Sequence, residues 1–207
     1  MNIPVKTAAS YSKADGIPPR ARILAAAGEL FYRHGIRAVG VESIAEAAGT
    51  NKMTLYRHFP SKDELVAEYL RQEAGKAEAY WDHLEGEHPG DPLAQVRAWI
   101  AGMAAHVADC NQRGCALANA AVELPEKGHP ARAVIEECKR RQRGALIRLC
   151  ERAGLSEPET LADEFLLLIE GARVTAQSMG ADGLGARLVR MSEALMAAHG
   201  AKAAQVS

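Results

Sequence analysis

No stretch of the 207-residue chain approaches the roughly 18 consecutive apolar residues that a membrane-spanning helix needs, so no span is expected. The N-terminus has no apolar core followed by a cleavage site, which argues against a secretion signal. Cysteine is scarce: the four present (Cys110, Cys115, Cys138 and Cys150) show no paired metal-ligand spacing. Without a secretion signal they fit a reducing compartment, and a cytoplasmic location is expected. Runs of β-branched residues are missing, while nine prolines and several glycine-containing breaks punctuate the chain. The expected fold class is all-α. Glycines form no phosphate-binding loop, and His83 and His88 lack the spacing of a metal-binding H-E-x-x-H helix. Glu123 and His106 offer an acid and a base, but nothing near them supplies a nucleophile with an orienting partner. Neither an enzyme nor a metal or cofactor is expected.

What is present is a soluble-protein composition, 48% hydrophobic against 25% charged, over a length that suits one large or two small domains. Charge is unevenly shared. Through Asp63 there are nine Lys/Arg against five Asp/Glu; after it there are sixteen against twenty-one. A basic head on an acidic body suits a protein that presents one end to phosphates.

The stretch VESIAEAAGTNKMTLYRHFPSK, Val41 to Lys62, sits in that basic head. Glu42 to Ala48 reads as a helix with Ile44, Ala45 and Ala48 on one face. Gly49 ends it, because leaving a helix often needs a positive φ. Thr50 or Asn51 can cap a second short helix, Lys52 to Phe59, whose Leu55 and Phe59 point inward. Two short helices joined by a glycine-containing turn make a helix-turn-helix, whose second helix usually lies in a major groove. Together with ILAAAGELFYRHGIRAVGVESIA before it and the Thr54-Leu55-Tyr56-x-x-Phe59-x-x-Lys62 string within it, the sequence resembles the DNA-binding domain of the TetR/AcrR family over about Arg20 to Leu70.

The remaining elements follow in order. Residues 1–18 carry Lys6 and Lys13 without a sustained period and read as a flexible arm. Pro18-Pro19 opens the first helix, which carries Ile23, Leu24, Ala27, Leu30 and Phe31. Gly40 starts the next helix, where the family usually places Ser or Thr. Ser61 and Glu64 form a capping box for a long fourth helix of about 24 residues, a rod of roughly 36 Å. After a break at Glu85 to Asp91 come a fifth helix to about Cys110, a short sixth from Cys115 to Leu124, and a seventh from Pro130 to Gly154. The seventh carries the basic run Lys139, Arg140, Arg141, Arg143 and Arg148, read as a solvated face because Glu136, Glu137 and Glu151 flank it. A second capping box, Ser156 to Glu159, opens the eighth helix, Pro158–Met179, and a ninth runs from about Gly183 to His199. Nine helices are expected. The resemblance divides them into a helix-turn-helix domain at 19–64 and a ligand-binding and dimerisation domain at 65–207.

Carried over residue by residue, the resemblance marks Lys52, Met53 and Thr54 for base edges and Tyr56, His58 and Lys62 for phosphate, with Thr50 and Asn51 either joining them or capping. The Tyr56 ring can alternatively pack on the first helix. Double-stranded DNA with a near-palindromic operator is the implied partner. The resemblance also implies an effector cavity, faced by Tyr80, Trp81, Trp99, Met103, His106, Leu117, Asn119, Glu123, Phe165 and Arg173, each of which can equally be ordinary core. Asn119 and Glu123 share a helix face, and their partner can be a ligand or Arg173. Leu161, Phe165 and Leu168, with the seam Leu184, Leu188, Met191 and Leu195, resemble the family's dimerisation pair; an internal core explains the same pattern. The implied function is a homodimeric transcriptional regulator, a repressor released by a small effector. Two rivals stand beside it: a thiol-sensing switch using Cys110 or Cys115, and a helical DNA-packaging protein without an effector.

Overall fold

The computed structural model describes residues 16–109 and 113–201. Most of the expected N-terminal arm, and Cys110, lie outside these. Nine helices and no strand occur among the described residues: α1 (Pro19–His34), α2 (Val41–Ala47), α3 (Lys52–His58), α4 (Lys62–Glu87), α5 (Pro92–Ala108), α6 (Ala116–Glu123), α7 (Pro130–Arg152), α8 (Pro158–Met179) and α9 (Leu184–Ala198). Proline occupies the first turn of α1, α5 and α8, where its missing N–H leaves no bond unmade.

The chain divides into two compact units. One runs to Ala74 and takes in Ala116–Glu136; the other comprises Gly75–Cys115 and the chain from Glu137. Helices α4 and α7 run uninterrupted through the points of division. In the first unit α1, α2 and α3 pack on one another, burying Ile23, Leu24, Ala27, Phe31, Ile44, Ala45, Leu55 and Phe59. The start of α4 adds Leu65, Val66, Tyr69 and Leu70, all buried, with the Tyr69 ring 5.8 Å from that of Phe31. Arg20 lays its guanidinium 5.0 Å over the Phe59 ring and bonds Glu68 at 2.8 Å, pinning α1 against α4.

Helix α6 belongs to this same unit. The Glu123 carboxylate accepts the Arg37 N–H at 3.0 Å, and Arg37 bonds Glu126 at 3.1 Å. The α1–α2 turn admits this carboxylate because Gly35 stands there at φ +86°; a Cβ on it would lie 3.1 Å from a Glu123 oxygen.

In the second unit α5, α8 and α9 enclose a core containing Trp99, Ile100, Leu161, Phe165, Ile169, Leu188 and Met196. Helix α9 comes close to α5 at Gly185, where an added Cβ would sit 2.9 Å from the Ala104 carbonyl oxygen. The basic run on α7 is largely consumed by acids: Arg140 and Arg141 bond Glu137, Arg141 bonds Glu78, Arg143 bonds Asp163, and Lys139 bonds Glu170.

The Ser156 capping box does not form. The Ser156 N–H donates to the His199 carbonyl at 2.9 Å, and His199 Nδ1–H returns a bond to the Ser156 carbonyl at 2.6 Å. With Ser156 tied to the end of α9, the chain enters α8 through Glu157 at φ +48°, and no side chain caps the helix. The other expected box is present in its first half, Ser61 Oγ accepting the Glu64 N–H at 3.1 Å.

Candidate nucleic-acid interface

Three local decisions position α3. Gly49 adopts φ +60°, and the Thr50 N–H folds back on the Ala45 carbonyl at 2.9 Å, which closes α2 and reverses the chain. Asn51 then caps α3, its Oδ1 accepting the Thr54 N–H at 2.9 Å, so of the two candidate caps it is asparagine that serves. Leu55 and Phe59 are buried beneath, which turns the opposite face of α3 outward.

That outer face carries the residues marked from the sequence. Met53 is 85% exposed, a large apolar side chain in water at the start of the helix. Lys52 is exposed, and its ammonium rests on Glu42 of α2 at 2.5 Å and 6.0 Å above the Tyr56 ring. The Glu42 bond raises the Lys52 pKa and lowers that of Glu42. Tyr56 is exposed, so its ring is not packed away in the core, and Thr54 and His58 are half-buried. Lys62, at the start of α4, is also half-buried; burial holds its pKa below the usual lysine value, against the pull of Asp63 and Glu123. Arg57, which the sequence reading passed over, stands exposed on α3 as a further cation.

A model described as bacterial regulatory proteins of the tetR family matches residues 23–69. The solved structure of a TetR transcriptional regulator from Streptomyces avermitilis is 31% identical, covers 88% of this chain and 98% of its own, and superposes with a TM-score of 0.71. This chain belongs to the TetR family. A TetR-family regulator from Streptomyces coelicolor gives a TM-score of 0.83 at 26% identity, over 88% of this chain and 96% of that one. Among curated proteins, the "Probable acrEF/envCD operon repressor" of Escherichia coli K12 is 29% identical over 89 residues, 43% of this chain. The match spans 40% of that relative's length.

Within this TetR-family chain the residues marked for an effector are divided between the two units. Leu117, Asn119 and Glu123 belong to the first, where Glu123 is occupied by the Arg37 backbone. The other seven belong to the second. Trp81, Trp99 and Phe165 form a run of rings, with Trp81 stacked on Trp99 at 5.8 Å and Trp99 edge-on to Phe165 at 6.1 Å. Trp99 and Phe165 are fully buried. Burial raises the Tyr80 phenol and lowers the His106 imidazole, whose Nε2–H donates to the Gly114 carbonyl at 3.3 Å.

Arg173 is engaged within its own unit. Its Nη1 bonds Glu170 at 3.0 Å, and its Nη2 faces the Met103 sulfur at 3.3 Å. Lys139 bonds the same Glu170 oxygen at 2.6 Å and points at the Cys115 sulfur at 3.6 Å. Burial opposes the Lys139 charge, but Cys115 and Glu170 outweigh it and hold the ammonium above the usual lysine value. Glu170 and Arg173 stand three apart on one helix, a spacing the sequence carries but the sequence reading passed over; Lys139 joins them from α7 with no signal in sequence spacing.

Of the residues marked for dimerisation, Leu161, Phe165 and Leu188 fill the core of their own unit, while Leu168, Leu184 and Leu195 are half-buried against it. Met191 is 49% exposed. The large apolar side chains that α8 and α9 leave exposed are Leu167, at 75%, with Val174, Met179, Val189 and Met191.

Proposed function

We propose that this chain is a homodimeric, sequence-specific DNA-binding regulator that represses transcription and is released by a small effector. The observation that carries it is the outer face of α3: its first turn is fixed by the Asn51 cap, and Lys52, Met53 and Thr54 are presented where such a helix meets base edges. Lys52 can exchange Glu42 for guanine O6 or N7, and Met53 or the Thr54 methyl can meet a thymine methyl. Tyr56, His58 and Lys62 supply phosphate contacts, which fix register without reading sequence. Repression is supported by the name of the Escherichia coli relative. The exposed apolar residues of α8 and α9 support self-association.

The test is a selection of duplexes from a random pool followed by binding at fixed salt. A near-palindrome is expected. Thr54→Ala and Lys52→Ala should each lose roughly tenfold or more in discrimination at one base pair, whereas Lys62→Ala should weaken all duplexes alike. Equal affinity for random and selected duplexes would overturn the reading.

Cys115 supports the thiol-sensing variant of the same function, since a partly buried sulfur faced by an ammonium is placed for reaction with electrophiles. N-ethylmaleimide treatment decides it: operator release that Cys115→Ser abolishes is the expected result, and release that persists in that variant excludes Cys115.

A further inference from the structure

Resting on the effector reading above, we infer that the effector carries a carboxylate, and that Arg173 receives it on its Nε/Nη2 edge. A guanidinium offers paired donors along that edge, and a carboxylate takes both at once. Two arginines of the same unit show this arrangement. Arg143 gives Nε and Nη2 to the two Asp163 oxygens at 2.6 and 2.9 Å, and Arg97 gives the same pair to Glu193 at 3.0 and 3.4 Å.

Arg173 departs from them. Its side chain is only 10% exposed, yet its Nε is buried without a hydrogen-bond partner among the described residues. The neighbouring Nη2 has the Met103 thioether at 3.3 Å, an acceptor far weaker than an oxygen. Glu170, the acid that pairs with Arg173 among the described residues, sits on Nη1 and not on the paired edge. That acid is also shared: Lys139 bonds the same Glu170 oxygen at 2.6 Å, so two cations meet one carboxylate. Buried polar groups are normally satisfied, and this edge lacks one strong acceptor with two oxygens. Arg22 and Arg132 also keep a buried Nε without a partner, but Arg132 lays Nη2 on Glu136, and Arg22 lies on α1 of the other unit. Arg173 is therefore the place where a second anion completes what the fold leaves unfinished.

The Nε–H of Arg173 reports on its own occupancy. Arginine side chains are labelled with nitrogen-15, the Arg173 resonance is assigned by its loss in Arg173→Gln, and the intact protein is titrated with benzoate and hexanoate. Benzamide and hexanamide serve as neutral matches of nearly the same shape. Both carboxylates are expected to move the Arg173 resonance saturably while the amides leave it in place, and Arg173→Gln should lose the carboxylate-dependent rise in melting temperature. An unmoved resonance through millimolar carboxylate, or equal shifts from the amides, would overturn the inference. Parallel binding to a selected operator separates the two claims. Carboxylate that occupies Arg173 without weakening operator binding would leave the anion site standing and remove the effector reading. Neutral compounds that release the operator with Arg173 unmoved would do the reverse.

Discussion

Cys150 lies fully buried on α7, and burial pushes its thiol from about 9 up to about 11. The unfolded chain releases that proton near the ordinary value, whereas the folded chain keeps it. Below about pH 9 the contribution to stability is intact, and between about 9 and 11 it is lost as the unfolded form gains a charge the folded form refuses. Cys150→Ala is therefore expected to be less stable than the parent at pH 8, with the gap narrowing as the pH rises towards 10.5. Urea unfolding across that range measures it, and a gap that stays constant would show that the thiol is not buried from solvent. Other single residues were less legible. Asn51 and Thr50 were equivalent caps on paper, because both side chains accept a hydrogen bond two or three residues on; backbone geometry chose Asn51. Glu123 looked like a ligand residue since it shares a helix face with Asn119, yet it serves the Arg37 N–H, a bond between positions 86 apart that no local pattern encodes.

Helices were the most legible scale. Prolines at first turns and glycines at exits mark their ends, and those devices act within a few residues of the backbone they control. The Ser156 box fails for the opposite reason: its side chains are suited to capping, but its backbone is held by His199, distant in sequence and adjacent in space. Periodicity likewise places Leu188 on an apolar stripe of α9 without saying what covers the stripe. For Leu188 the answer is the chain's own core, whereas Met191 on the same stripe is exposed, together with Leu167, Val174, Met179 and Val189. The contact that seats α9 against α5 has no periodic signature either, since it consists of a missing side chain. Gly185→Ala puts a methyl 2.9 Å from the Ala104 carbonyl oxygen, and backbone cannot swing aside as a side chain can. We expect a loss of about 1–3 kcal/mol, the usual range for overpacking. Chemical denaturation checks this, and an unchanged midpoint would mean that α9 shifts freely along α5.

For the whole molecule, assembly is the first question. Leu167 and Met191 are exposed apolar side chains on α8 and α9, and a charge at either makes no difference to a surface that faces water. In a dimer interface it leaves an unpaired, desolvated carboxylate. Leu167→Asp and Met191→Asp are therefore expected to sediment as folded monomers and to bind a palindromic operator at least tenfold more weakly than the parent. Variants that remain dimeric would remove these two helices from the interface. Leu188→Asp would not discriminate, because that residue is core and its loss would unfold the unit.

The unpaired Nε of Arg173 bears on how such a protein changes under selection. A buried donor left without an acceptor costs about 1–3 kcal/mol, a sizeable share of the 5–15 kcal/mol that typically separates a folded chain from an unfolded one. Replacing Arg173 with an apolar residue such as methionine would remove that cost and leave Glu170 still paired with Lys139. On the proposed effector reading, a population screened only for heat resistance would drift towards chains that hold the operator firmly and answer no signal. If Arg173 receives the proposed effector, responsiveness is bought with stability, and only an environment in which the signal matters can preserve it.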